Sequence, residues 1–140
     1  MLSYEDVLAA REHVEQVAVR TPVNYSHSFS ELTGAAINLK LENTQRTGAF
    51  KIRGAMNRIA ALTDEERERG VVTASAGNHA QGVALAATRA GVDSTIVMPK
   101  YAPVSKVEAT RRYGGEVVLH GIDYDEAQGH AHEIEREQDK

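Results

Sequence analysis

The sequence predicts an α/β fold built on a parallel, doubly wound sheet. Three observations point there. Short β-branched runs, Val71-Val72-Thr73-Ala74, Thr95-Ile96-Val97-Met98 and Val117-Val118-Leu119, recur roughly every 23 residues. Each run is followed by a segment with apolar residues at helical spacing. The runs are nearly uninterrupted apolar strands, which implies a sheet covered on both faces. Right-handed crossovers then wind the helices over the two sides.

The first element is a helix capped by Ser3, with Asp6 at the capping-box position. Val7, Leu8, Val14, Val17 and Ala18 give it an apolar side, and Thr21-Pro22 is expected to stop it. A short helix around Ser28–Leu32 is closed by Gly34. From Ala36 the pattern alternates: Ile37, Leu39 and Leu41 against Asn38, Lys40 and Glu42, a strand with one wet face that opens the βα series. Ile52, Ala55, Met56, Ile59 and Ala60 return to helical spacing, with Lys51 at that helix's start. Thr63 with Glu66 caps another short helix that Gly70 closes. After the strand at Val71 comes a small-residue helix, Asn78–Ala90, stopped by Gly91. Ser105 with Glu108 is expected to cap the next helix, ended by Gly114-Gly115, and Asp123 with Glu126 the last. Residues 1–35 fall outside the βα rhythm and are expected in a different layer from residues 36–140.

Composition bounds the chemistry. The 140 residues are 41% hydrophobic and 26% charged, enough apolar content for a packed core. A net charge of −4 provides no global field for nucleic acid or an anionic membrane. No apolar run reaches the roughly 18 residues that a bilayer span needs, and the acidic first turn is unlike a secretory signal. The absence of Cys excludes disulfide scaffolds, Cys-ligated zinc, iron–sulfur clusters and cysteine nucleophiles. A soluble, cytoplasmic globular protein is expected, with neither nucleic acid nor membrane as partner.

In parallel sheets ligands gather at the carboxyl ends of strands, where helix N-termini point. The loop Ser75-Ala76-Gly77-Asn78-His79-Ala80-Gln81-Gly82 offers backbone N–H groups to an anion at a helix start. It is not a Walker A loop, since Val83-Ala84 stands where Lys-Ser/Thr is required, and no G-x-G-x-x-G is present. A plain tight turn and cap fits these residues equally well. Lys51 stands at the first turn of its helix, the end where the macrodipole disfavours a cation. It either reaches to solvent or is held for chemistry. Burial and the dipole would both favour the neutral amine that Schiff-base formation requires. The loop Met98–Pro103 is read as a turn without chemistry. No metal site is expected: His130 and His132 are two apart on a helix and diverge, while His13, His27 and His120 are isolated. Glu126, Glu133, Glu135 and Glu137 read as a solvated face.

Two segments together carry a resemblance. Leu41-Glu42-Asn43-Thr44-Gln45-Arg46-Thr47-Gly48-Ala49-Phe50-Lys51-Ile52-Arg53-Gly54-Ala55 resembles the cofactor-lysine motif of the serine/threonine dehydratases, pyridoxal-phosphate enzymes of the tryptophan-synthase-β-like fold. Thr73-Ala74-Ser75-Ala76-Gly77-Asn78-His79-Ala80-Gln81-Gly82 resembles the same family's asparagine loop, in the same order and separation. The likeness extends from about Leu2 to the end, including Arg20-Thr21-Pro22 and Met98-Pro99. It is greatest to the threonine dehydratase (threonine ammonia-lyase) members.

The resemblance implies pyridoxal phosphate as cofactor and roles residue by residue. Lys51 would hold the cofactor as a Schiff base and then take the substrate Cα proton. Phe50 would pack on the pyridine ring, and Asn78 would bond the phenolic oxygen. Ser75, Ala76, Gly77, Asn78 and His79 would hold the substrate carboxylate. Gly48 and Gly54 would let backbone pass close to the cofactor. The reaction implied is β-elimination of threonine to 2-oxobutanoate and ammonia, or of serine to pyruvate, with a link to isoleucine synthesis. Residues 1–35 would belong to a larger cofactor domain and residues 36–140 to a small α/β domain.

Two departures bear on this. Ala49 replaces a Ser common before Phe-Lys, and Ala is common there too. Ala76 stands where serine racemases need a Ser as second acid/base, and a methyl cannot move a proton. The family's Gly-rich phosphate loop and its pyridine-nitrogen partner have no counterpart here. The sequence is therefore expected to be an N-terminal portion, ending within a helix, of an enzyme that is a homo-oligomer at full length. By itself it is expected to be inactive and to expose apolar surface. Serine racemase, threonine synthase and cysteine synthase chemistry are the alternatives within the fold type. A catalytically silent α/β module that binds a small anion is the alternative outside it.

Overall fold

A computed structural model describes residues 2–140. Three parallel strands form the main sheet in the order β3-β4-β5: β3 (Val71–Ala74), β4 (Ser94–Met98) and β5 (Glu116–Leu119). The central strand β4 is buried along its whole length, as its apolar run requires. Its side chains alternate between two cores. Ile96 and Met98 enter one with Ile52, Met56, Val83 and Val107. Val97 enters the other with Ala127, Ala131 and Ile134.

The helices divide accordingly. Helices α5 (Asn78–Ala90) and α6 (Val104–Arg112) follow β3 and β4 and contribute Val83 and Val107 to the first core. Helix α7 (Tyr124–Gln138) supplies the second, on the opposite face. The sheet is thus doubly wound as predicted. Helix α3 (Lys51–Ala60) buries Ile52, Ala55, Met56 and Ile59 against α5, and α4 (Asp64–Arg69) links it to β3 through the Thr63–Glu66 capping box.

The predicted first strand departs from expectation. Only Asn38–Lys40 (β2) is extended, and it is exposed throughout. It pairs antiparallel with β1 (Val23–Tyr25) in a separate two-stranded sheet. Its alternation comes from this exposed ribbon rather than from a βα unit, so the parallel sheet has three strands. The ribbon joins residues 1–35 to the segment after them, with α2 (His27–Thr33) between its strands and closed by Gly34 in the left-handed conformation.

Helix α1 (Tyr4–Val14) carries the Ser3–Asp6 capping box but buries no residue, and Val7 and Leu8 face solvent. It ends before Thr21-Pro22 because side chains claim the backbone that a longer helix would use. Gln45 donates through Nε2 to the Val19 carbonyl (2.8 Å) and accepts from the Val19 N–H through Oε1 (2.8 Å), while Arg46 Nε donates to the Val17 carbonyl (2.7 Å). The capping box expected at Ser105 is also absent. Helix α6 begins at Val104 with Pro103 at its N-cap and no side-chain cap, so Ser105 lies inside the first turn, and Glu108 pairs with Arg111 instead (2.9 Å). The fixed φ of Pro103 pre-sets the helix entry two residues early.

A groove of about 620 Å³ lies beside β3, lined by Ala55 and Ile59 of α3, Val71 and Thr73 of β3, and Ala131 and Glu135 of α7. The outer edge of β3 has no strand partner among the described residues.

Candidate active site

The chain leaves β3 at Ala74, and α5 begins at Asn78 after three intervening residues. Ser75 keeps the strand ladder one step longer, its N–H donating to the Val97 carbonyl (3.1 Å). Its hydroxyl oxygen then accepts from the N–H groups of Gly77 (3.3 Å) and Ala80 (3.2 Å). That hydroxyl does the work of a helix cap, because Gly77 at the N-cap has no side chain to do it. The N–H groups of Ala76, Asn78 and His79 have no acceptor among the described residues. Together with the positive end of a 13-residue helix they form a surface for an anion.

Lys51 is the first residue of α3 and is exposed. Phe50, at the N-cap and 60% exposed, lies with its ring centroid 5.6 Å from Lys51 Nζ. Gly82 brings this lysine to the loop. A Cβ added to Gly82 would stand 3.1 Å from the Lys51 carbonyl carbon, 3.2 Å from the Ile52 nitrogen and 3.3 Å from Lys51 Cβ. Glycine there lets α5 press against the backbone of Lys51, one helical turn from Asn78. The sequence reading placed Gly82 in the loop motif without this function. The available signal was its cost, since glycine inside a helix loses about 1 kcal/mol against alanine.

The segment before Lys51 is tied down from several sides. Glu42 receives a bidentate pair from Arg53, Nε to Oε2 at 2.9 Å and Nη2 to Oε1 at 2.8 Å, and also accepts the Thr21 hydroxyl. Tyr113 donates its hydroxyl to the Arg46 carbonyl (2.7 Å) from the end of α6. Gly48 turns the loop with φ +68°, a conformation that glycine adopts without strain. Gly54 has open space where a Cβ would point and borders the β3 groove.

Arg53, above all, holds the Glu42 carboxyl down to about 2, against an ordinary value of 4.5. The stabilisation is therefore complete above about pH 4.5 and is lost as pH falls toward 2, amounting to at most about 3 kcal/mol. Urea denaturation of the wild type and Glu42→Gln should show a stability gap at pH 7 that narrows steadily below pH 4.5. A gap that stays constant down to pH 2.5 would refute the ion pair's contribution.

His79 has a buried Nδ1 with no hydrogen-bond partner. Burial lowers its pKa, and the charge of Lys51 lowers it further, both favouring the neutral ring. His79 lines the groove beside β3, and a buried ring nitrogen without a partner there suits a polar group.

Lys106 also reaches the loop. Its Nζ donates to Asn78 Oδ1 at 2.8 Å. No local sequence signal marks it, because the contact joins residues 28 apart in the chain. The packing of α5 on α3 thus sets the backbone of Lys51 against Gly82, one helical turn from Asn78. Lys51, Phe50 and Asn78 could hold a cofactor there, and the loop N–H groups could hold a carboxylate. Tyr101, Val104 and Ile122, which follow the carboxyl ends of β4 and β5, are exposed.

No cluster of three or more metal-ligating side chains occurs among the described residues. His130 and His132 pair separately with Glu133 (2.8 Å) and Glu135 (2.9 Å). His120 is not isolated as the sequence suggested: its ring stacks on His130 at 4.1 Å, because the loop after β5 meets α7.

A family model described as "Pyridoxal-phosphate dependent enzyme" matches residues 14–140. L-threonine ammonia-lyase of Thermotoga maritima is 57% identical over 127 residues, 91% of this chain and 32% of that protein. L-threonine dehydratase catabolic TdcB of Escherichia coli is 47% identical over 95% of this chain and 40% of its own length. Among solved structures, the processed form of threonine deaminase isoform 2 from Solanum lycopersicum superposes with a TM-score of 0.85 at 40% identity, covering 99% of this chain and 39% of that one. Maize serine racemase superposes with a TM-score of 0.89 at 39% identity, covering 96% and 41%. The chain spans 32–41% of the length of these relatives.

Proposed function

The chain belongs to the family of pyridoxal-phosphate dependent enzymes, and from that premise we propose that it carries the lysine side of a threonine ammonia-lyase active site. The observation that carries the reading is the close packing of Gly82 on the backbone of Lys51, which sets this lysine's helix against α5 one turn from the start of that helix, where the N–H groups of Ala76, Asn78 and His79 are unsatisfied. The reaction is β-elimination of L-threonine to 2-oxobutanoate and ammonia, with L-serine to pyruvate as the second substrate.

Pyridoxal phosphate, when bound, supplies an electron sink for the charge left at Cα once the proton is lost. Lys51 is the residue that would hold the cofactor through Nζ, and its free amine would be the base that takes the substrate Cα proton. Phe50 would pack against the cofactor ring, and the Asn78 amide would donate to its phenolic oxygen. The backbone from Ser75 to His79 grips the substrate carboxylate, with the Ser75 hydroxyl holding the loop in shape. Ala76 presents a methyl group where a second acid/base would be needed for racemisation. That supports elimination over the racemase reading, which the maize structure otherwise keeps in view.

The activity is proposed for the whole protein, with residues 1–140 alone inactive. Residues 1–35 are assigned to a larger domain and 36–140 to a small one. No helix is long and apolar enough to cross a membrane among the described residues. A cytoplasmic setting, a homo-oligomeric full-length protein and a place ahead of isoleucine synthesis belong to the same proposal. Full-length protein supplied with pyridoxal phosphate and L-threonine should yield 2-oxobutanoate and ammonia in equal amounts. Formation of D-amino acid without oxo acid would assign the racemase instead. No turnover of either kind would leave the silent anion-binding module.

A further inference from the structure

We propose that Lys106 is a positioning residue that fixes the amide of Asn78 so that its NH2 group, and not its oxygen, faces the cofactor. The inference rests on the pyridoxal-phosphate reading of the site and extends it to a residue on a different helix. An ammonium group donates hydrogen bonds and accepts none. The Asn78 atom 2.8 Å from Lys106 Nζ must therefore be Oδ1, which settles the orientation of an amide that could otherwise be turned either way. Nδ2 then points away from Lys106. Its two N–H donors have no acceptor among the described residues, so they are available to an anionic oxygen in front of α5.

The placement of Lys106 is otherwise hard to explain. It lies in the first turn of α6, the end at which the helix dipole disfavours a cation. It makes no ion pair with an acidic side chain among the described residues. Its backbone is rigidly held: the N–H donates to the Pro103 carbonyl (2.8 Å), and the carbonyl accepts from the fully buried Thr110 hydroxyl (2.8 Å). The side chain thus extends from a fixed base toward Asn78. A cation bound to the amide oxygen also polarises the amide and strengthens its N–H donors.

The test uses full-length protein carrying Lys106→Met, which keeps the stem and removes the donor, Lys106→Arg, which restores a donor-only cation, and both in an Asn78→Ala background. Cofactor affinity is read by titrating the visible absorbance band, and turnover is separated into kcat and KM. Lys106→Met is expected to weaken cofactor binding about tenfold and shift the band, with Lys106→Arg recovering most of both. In the Asn78→Ala background, Lys106→Met should add no further loss. Equal losses in the two backgrounds, or a rise in substrate KM with cofactor affinity and band unchanged, would overturn the proposal and make Lys106 a direct anion ligand or a structural residue. A wild-type protein that develops no visible band at all would instead remove the cofactor reading on which the inference stands.

Discussion

Lys51→Ala in the full-length protein is expected to lower 2-oxobutanoate formation by about 10³-fold or more, the scale of a lost general base compounded by loss of the cofactor's covalent hold. Lys51→Arg should fail almost as badly. A guanidinium keeps the charge but cannot be deprotonated, so it can neither form the linkage nor accept the Cα proton. Stability should barely change in either variant, because the side chain is exposed and, among the described residues, makes no hydrogen bond or ion pair beyond its approach to the exposed Phe50 ring. The combination of lost turnover and an unchanged melting temperature separates chemistry from folding. Activity within tenfold of wild type in Lys51→Ala would remove this residue from the reaction.

The second large effect is expected at Gly82. Gly82→Ala places a methyl group 3.1 Å from the Lys51 carbonyl carbon and 3.2 Å from the Ile52 nitrogen, and a helix backbone cannot step aside as a flexible side chain would. Relief must come from moving α3 away from α5. We expect a loss of about 1–3 kcal/mol in stability and at least a tenfold fall in kcat, since small displacements of a reacting group are costly. Gly129 provides the control. It too lies inside a helix, α7, but a Cβ there meets nothing within 4 Å. Gly129→Ala should be neutral or stabilising by up to about 1 kcal/mol. If urea denaturation and steady-state assays find the two variants alike, Gly82 does not set the position of Lys51.

These residues also show what can be read from a sequence and what cannot. Helix α5 was bounded correctly at Asn78 and Ala90 because its signals are local: a strand ending in a Ser-Ala-Gly turn, small residues, and Gly91 as a left-handed stop. The Ser3–Asp6 and Thr63–Glu66 boxes are likewise contained within four residues each. The two-stranded ribbon was missed because Val23–Tyr25 is too short to show a period, and its pairing with Asn38–Lys40 is a long-range fact. The motif residues around Lys51 and Asn78 were visible as a resemblance. Their supports were not. Gln45 gripping Val19, Tyr113 reaching Arg46 and Lys106 reaching Asn78 join residues 26, 67 and 28 apart. No periodicity or cap rule connects such positions; only the packed fold does.

The central claim is that Lys51 is the group to which pyridoxal phosphate attaches. Full-length protein incubated with the cofactor, reduced with borohydride, digested and analysed by mass spectrometry tests it most directly. A pyridoxyl group on the peptide containing Lys51, absent from the same digest of Lys51→Ala, is the predicted result. No label, or a label on another lysine that persists in Lys51→Ala, would contradict it.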